Sequence, residues 1–267
     1  MKKILLFLIA LGLAMGVSAK KIVSLGPFIT ESIYDLGAEE QLIANTIYCN
    51  RPDQAKDKDK IGTMLAINIE KIVSLSPSVI IATSLTPNTT ITRLKNLGFS
   101  VVQLPEAKSF NELCQQFIQV GGIVGKKREA VRIIEKVQKQ VGQLKKQITN
   151  KSPLVFVQIG IRPLFTVNQD SFINDLVEFA GGKNIAKHSG SGIYSKEEVI
   201  RCNPNIVIAA IMGFSADDIS QYWQRCSIDA VEKKQIYILD SDLICSPSPI
   251  TFVTALEKLI GILKNGQ

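Results

Sequence analysis

The chain has 267 residues, of which 46% are hydrophobic and 21% charged; that is apolar material for a real core, and length for two domains of roughly 100 residues or more each. Its formal net charge of +7 is spread along the chain without a dense basic block or interleaved aromatic residues, which argues against nucleic-acid binding. No Cys-x-x-Cys pair occurs among its 5 cysteines, which removes the usual redox and zinc signatures.

The first element is Lys2 and Lys3, then an apolar run over residues 4–17 and the small residues Val17, Ser18 and Ala19. Residues 1–19 read as a cleaved secretory signal. The run is shorter than the roughly 20 residues that a membrane span requires. Lys20 and Lys21 follow at once, and no cysteine stands near the cleavage point to accept a lipid. A bacterial periplasm is the expected compartment. In that oxidising setting the odd cysteine count leaves at least one thiol unpaired, and a disulfide is expected among Cys202, Cys226 and Cys245, with the pair left open.

Lys21-Ile-Val-Ser-Leu25 is a short β-rich run that stops at Gly26 and Pro27, and a helical pattern from Thr30 carries Ile33, Tyr34 and Leu36. Residues 42–44 form a second strand leading into the polar loop Tyr48-Cys49-Asn50-Arg51-Pro52, after which a charged stretch to Lys60 reads as solvated surface. Next come a helix over 68–75, a buried parallel strand over 79–83, a helix over 92–97 stopped by Gly98, and a strand over 101–104. Ser109 and Glu112 have capping-box spacing and open a helix carrying Leu113, Phe117 and Val120. Over 126–148, Ala130, Ile134, Val137, Val141, Leu144 and Ile148 recur at spacings of four and three. They predict one amphipathic helix about 34 Å long. Beyond it the spacing predicts a strand over 154–159, helices over 172–179 and 196–202, strands over 206–210 and 236–239, and a last helix over 252–263.

Two stretches repeat. Glu70-Lys-Ile-Val-Ser-Leu-Ser-Pro77-Ser-Val-Ile-Ile-Ala82 matches Glu197-Glu-Val-Ile-Arg-Cys-Asn-Pro204-Asn-Ile-Val-Ile-Ala209, with glutamate, proline and alanine at identical offsets. The segment from Ile33 to Ala44 also aligns, with a small length difference, with the segment from Ile173 to Ala186. These repeats predict two like α/β lobes, 20–122 and 151–267, each with a central parallel sheet, joined by one long helix within 123–150.

Lys21-Ile-Val-Ser-Leu25, the Tyr48-Cys49-Asn50-Arg51-Pro52 loop, Asn68-Ile-Glu-Lys-Ile72 with its Pro77 strand, and Ala180-Gly-Gly-Lys-Asn-Ile-Ala186 together resemble the helical-backbone (class III) periplasmic binding proteins. These serve ATP-binding-cassette importers of ferric siderophores, haem and cobalamin. Val155-Phe-Val-Gln-Ile-Gly-Ile-Arg-Pro163 and Gln221-Tyr-Trp223 look closest to the cobalamin-binding branch. The resemblance covers the whole chain after the signal. It implies a ligand held between the lobes by Pro27, Phe28, Tyr48, Cys49, Asn50, Arg51, Met64 and Ser84 on one side. Arg162, Tyr194, Phe214, Asp242 and Leu243 would stand on the other. Arg51, Met64 and Ser84 occupy positions where the family's cobalamin binders carry aromatic rings, and Ile250 stands where an arginine often follows the second proline of the turn. Arg51 and Arg162 are suited to the carboxylates or phosphate of an anionic chelate. The resemblance further implies that Glu70 and Glu197 dock onto arginines of a membrane permease.

The expected function is therefore a monomeric binding protein that captures a metal chelate (ferric siderophore, haem or corrinoid) and delivers it to a permease and its ATPase, with no resident metal, cofactor or catalytic residue. Two alternatives differ in what they require. A secreted hydrolase needs an activated nucleophile, but the chain has no Gly-x-Ser-x-Gly elbow and its one histidine, His188, lies in a Ser/Gly-rich loop. A bare metal-ion carrier needs several converging His, Asp and Glu ligands, against which the single histidine counts; with Tyr48 or Tyr194, His188 would be suited instead to haem iron.

Overall fold

A computed structural model describes residues 20–148, 152–210 and 215–265. The predicted signal over 1–19 and the predicted ligand contact Phe214 lie outside the described residues.

The N-terminal lobe is built on β1 (Ile22–Ser24), α1 (Pro27–Asp35), β2 (Leu42–Asn45), β3 (Asp59–Lys60), α2 (Ile69–Leu75), β4 (Val79–Ala82), α3 (Asn88–Asn96) and β5 (Val101–Gln103). Then come α4 (Phe110–Ile123) and α5 (Lys127–Lys145). The C-terminal lobe contains β6 (Leu154–Gln158), α6 (Phe172–Phe179), β7 (Lys183–Asn184), α7 (Lys196–Cys202), β8 (Ile206–Ala209), α8 (Ala216–Trp223), α9 (Asp229–Glu232), β9 (Ile236–Ile238), α10 (Ser241–Cys245) and α11 (Pro249–Asn265). Both sheets are wholly parallel, in the orders β3-β2-β1-β4-β5 and β7-β6-β8-β9. The two orders superpose: β1, β2, β4 and β5 answer to β6, β7, β8 and β9.

The repeated stretch forms α2–β4 in one lobe and α7–β8 in the other, and its ends are built alike. Asn68 caps α2 by accepting from the Lys71 N–H, and Ser195 caps α7 by accepting from the Glu198 N–H. Each helix then stops on a left-handed residue, Ser76 at φ 46° and Asn203 at φ 45°, with proline directly behind to forbid another turn. Each strand is buried along its full length, as a parallel strand covered on both faces must be. Asn68→Ala and Ser195→Ala should each lower stability by about 0.5–2 kcal/mol, and closely similar losses in thermal unfolding of the two variants would show the caps to be equivalent.

Several boundaries differ from the sequence reading. Helix α1 begins at Pro27, not Thr30, because proline pre-sets the first helical residue; α3 and α11 likewise start early, at Asn88 and Pro249. The charged stretch before Lys60 is not merely solvated surface: Asp59 and Lys60 pair with Ala44 and Asn45 as an edge strand, where charge discourages pairing with another chain. Helix α5 has 19 residues, about 28 Å, and ends at Lys145. The next amides reach only three residues back, Gln147 to Leu144 at 2.9 Å and Ile148 to Lys145 at 3.4 Å, which tightens the chain into a turn. Of the reciprocal cap expected at Ser109, half forms: Ser109 accepts from the Glu112 N–H, while the Glu112 carboxylate accepts from Lys108 instead. All five cysteines are free, in place of the expected disulfide. Cys202 contacts the Tyr194 hydroxyl, Cys226 is buried in the core beneath Trp223, and Cys245 faces the Ala210 carbonyl.

The lobes are joined by more than α5. One apolar core runs through both and takes in Phe117, Ala130, Val141, Leu176 and Leu256 from α4, α5, α6 and α11. Phe110 on α4 stacks on Phe252 of α11, with ring centroids 4.5 Å apart, and meets Phe179 of α6 edge-on at 5.9 Å. The Asp175 carboxylate of α6 accepts from the Phe110 N–H at 2.8 Å. Opening the lobes widely would break a helix or empty this core, so ligand should change their relation little. Small-angle scattering curves with and without ligand should nearly coincide; a change in radius of gyration of the size that a wide hinge closure produces would contradict this.

Candidate ligand-binding site

Loops at strand carboxyl ends, where open α/β sheets bind ligands, line a cavity of about 240 Å³ with residues from both lobes. Pro27 and Phe28 follow β1, Ser84 and Leu85 follow β4, Leu104 to Ala107 follow β5, and Met64 comes from the loop after β3. Phe172 at the start of α6, and Cys245 to Pro247 at the end of α10, complete it from the C-terminal lobe. The β1–α1 turn is drawn tightly against the β4 loop: a Cβ on Gly26 would lie 2.4 Å from the Thr83 methyl, so only glycine fits. Buried Ser24 fixes the same turn by donating to the Gly26 carbonyl at 3.0 Å and accepting from the Thr30 hydroxyl at 2.8 Å.

The exposed side chains that line the cavity are mixed: Leu85 is apolar, while Ser84 and Glu106 are polar. Leu65 beside Met64 is 69% exposed and Leu85 beside Ser84 is 58% exposed. In the opposite lobe Phe165, whose carbonyl is bonded by the Ile159 N–H just past β6, pairs with Ile193, and both are exposed. Large exposed apolar groups at strand ends on both lobes suit a bulky, largely apolar ligand.

The Tyr48–Arg51 loop reaches across to the other lobe. Cys49 points inward, buried, with its thiol 3.2 Å from the Thr46 hydroxyl and burial pushing its pKa up; Tyr48 and Asn50 are exposed. Arg51 crosses between the lobes: its Nη2 donates to Glu31 Oε2 at 3.2 Å and to the Asp242 carbonyl at 2.5 Å. The Asn50 side chain hydrogen-bonds the Asp242 carboxyl group. Three carboxyl groups gather round this one guanidinium, and burial raises the pKa of all three: Glu31 from 4.5 to about 7, with Asp35 and Asp242 also above the usual range.

Of the residues named from sequence, Pro27, Phe28, Met64 and Ser84 line the cavity. Asn50, Arg51 and Asp242 meet one another across the lobes and are not among its lining residues. Leu243 is buried in the shared core. Tyr194 packs into a core of the C-terminal lobe, its ring 5.8 Å from Phe156 and its hydroxyl donating to the Ile185 carbonyl. Arg162 lines a different cavity, confined to the C-terminal lobe. His188 is exposed. Sequence reasoning missed Leu85, Leu104, Glu106 and Phe172 as lining residues, although the rule that ligands lie at strand carboxyl ends points to 83–85 and 104–107. Cys245, whose thiol burial pushes up to about 12, stays protonated and is no nucleophile. Among the described residues, no group of three or more His, Cys, Asp or Glu side chains could hold a metal ion.

Two doubly wound parallel sheets, a shared helical core and a cleft at the strand ends define a two-lobed α/β binding protein. The chain belongs to the periplasmic binding protein family, whose profile matches residues 22–243. A vitamin B12-binding protein of Vibrio cholerae is 26% identical over 259 residues, covering 96% of this chain and 93% of that protein. One from Pectobacterium atrosepticum is 30% identical over 217 residues, covering 77% and 76%. Among solved structures, the periplasmic vitamin B12 binding protein BtuF of Vibrio cholerae superposes with a TM-score of 0.79 at 25% identity, covering 93% of this chain and 98% of that one. The periplasmic heme-binding protein RhuT of Roseiflexus sp. RS-1 shares the fold at a TM-score of 0.83 and 22% identity, covering 94% and 100%.

Proposed function

We propose that this protein is the substrate-binding component of an ATP-binding-cassette importer. It acts outside the cytoplasm, in the periplasm, as a monomer released from its signal at residue 19. It captures a metal chelate of the haem, corrinoid or ferric-siderophore class between its lobes and passes it to a membrane permease with its ATPase. The observation that carries this is the interlobe cavity at the strand ends, lined by Pro27, Phe28, Met64 and Leu85 of one lobe and Phe172 and Pro247 of the other. The relatives named above for vitamin B12 and heme support the same class. The role in this reading is binding, as the family's members are binding proteins; the thiol at the cavity is held protonated.

Within that class the walls favour a flat, largely apolar macrocycle that carries an acidic group. Arg51 bridges the lobes, with two of its guanidinium nitrogens uncommitted to Glu31 or Asp242. Native mass spectrometry of protein purified from its source tests this by the mass of what it carries, and absorbance near the Soret band separates haem from the others. Retention of a tetrapyrrole or siderophore complex is the expected result. A protein that carries none, and that neither haemin, cobalamin nor ferric siderophores saturate on titration, would overturn the reading.

A further inference from the structure

The C-terminal lobe holds a cavity of about 370 Å³ that shares no lining residue with the interlobe one. Its volume is within the ~300–1,000 Å³ typical of small-molecule sites. The loop after β6 contributes Arg162, α7 contributes its first residue Lys196, and α8 with the turn behind it contributes Asp218, Tyr222 and Arg225. Three cations therefore face one space against one carboxylate.

That carboxylate is already committed. Asp218 Oδ2 accepts from the N–H and the hydroxyl of Ser215, at 2.8 and 2.7 Å, as part of the cap of α8. Lys196 is fixed at the wall: it donates to the Tyr222 carbonyl at 2.5 Å and sits 4.4 Å over the Tyr222 ring. Among the described residues the guanidinium groups of Arg162 and Arg225 make no ion pair. Glu197 lies outside the cavity, close enough for its charge to act on Tyr222, as the charge of Arg162 does. Burial holds the Tyr222 phenol above its ordinary pKa, so it remains a donor.

Like charges gathered on one concave surface repel, and what best relieves them is an ion presenting several oxygens. Guanidinium forks match carboxylate and phosphate oxygens two at a time, and Gln221 and Gln224 add amide donors to the same wall. We propose that this cavity binds a small multivalent oxyanion, a polycarboxylate or phosphate, independently of the interlobe cleft.

The chain's single tryptophan, Trp223, reports on the site, because its ring meets that of Tyr222 edge-on with centroids 5.0 Å apart. Citrate and inorganic phosphate are titrated separately into purified, ligand-free protein at constant ionic strength, with tryptophan fluorescence and calorimetry as readouts. Citrate should saturate at one per chain. Arg162→Ala and Arg225→Ala should each weaken it roughly ten-fold or more, while Lys136→Ala on the exposed face of α5 changes nothing. Arg162→Lys, which keeps the charge and loses the fork, should fall between; melting temperatures of the same samples show whether each variant is folded. Failure of both anions to saturate, or equal weakening by Lys136→Ala, would mean that the three cations are ordinary solvated surface, and the proposal would fall.

Discussion

Replacing Glu70 and Glu197 together by alanine is expected to abolish uptake through the cognate permease while ligand affinity and melting temperature stay nearly unchanged. Each glutamate is the second residue of its helix, α2 or α7, each is exposed, and neither forms an ion pair among the described residues. The helix dipole stabilises a carboxylate at that position by about 0.3–1 kcal/mol, so losing both costs the fold little. What they offer jointly is placement: the repeat puts one on each lobe, at the same point of two equivalent α–β units. A membrane partner with two suitably spaced cations would be gripped at both ends. Charges at the rim of an interface act mainly on encounter and orientation, so uptake by the native chain should fall as salt rises and screens the attraction. Uptake measured in cells that express the permease decides it: normal uptake by the double variant would leave the two glutamates only their helix-start role.

Those two positions were legible because the repeat is local. Fifteen consecutive residues, 68–82 and 195–209, carry a cap, a helix, a proline stop and a buried strand, and every part of that pattern is dictated within the segment itself. The parallel strands were legible for the same reason, as apolar runs bounded by turn residues. Strands β3 and β7 were not, since two residues become a strand only by pairing with a neighbour, and Asp59-Lys60 and Lys183-Asn184 carry no apolar pattern of their own. The site was half legible. Residues that follow a strand end, such as Pro27, Phe28 and Ser84, could be placed from the strand. The partner of Arg51 lies 191 positions further along the chain, and no local rule connects them. Arg162 illustrates the converse: it follows a strand end, as a cleft residue should, but the long loop after β6 turns it into a cavity of its own lobe.

The interlobe Glu31 should make the protein more stable on acidification across the range from about pH 4.5 to about pH 7. Its side chain is 6% exposed. Burial, the largest influence, raises its pKa from 4.5 to about 7, against the opposing charge of Arg51 and with the reinforcing charge of Asp35. Between those values the folded protein holds a proton that the unfolded chain has released, so folding is favoured by low pH. The advantage is complete below 4.5 and is lost as the pH rises through 7, and over the whole interval it amounts to at most about 3 kcal/mol. Asp35 and Asp242 are shifted in the same direction, so the slope in the native chain belongs to the cluster, and the share of Glu31 is isolated by Glu31→Gln. The gap in unfolding free energy between the native chain and this variant, followed by urea denaturation from acid to mildly alkaline pH, should shift by about 3 kcal/mol in favour of the variant as pH rises. Arg51→Met removes the one cation that lowers the Glu31 pKa and should carry the transition to higher pH. A gap that stays constant with pH would show that Glu31 titrates as an ordinary exposed carboxylate, and that the tie from Glu31 through Arg51 to the Asp242 carbonyl is not sealed from water.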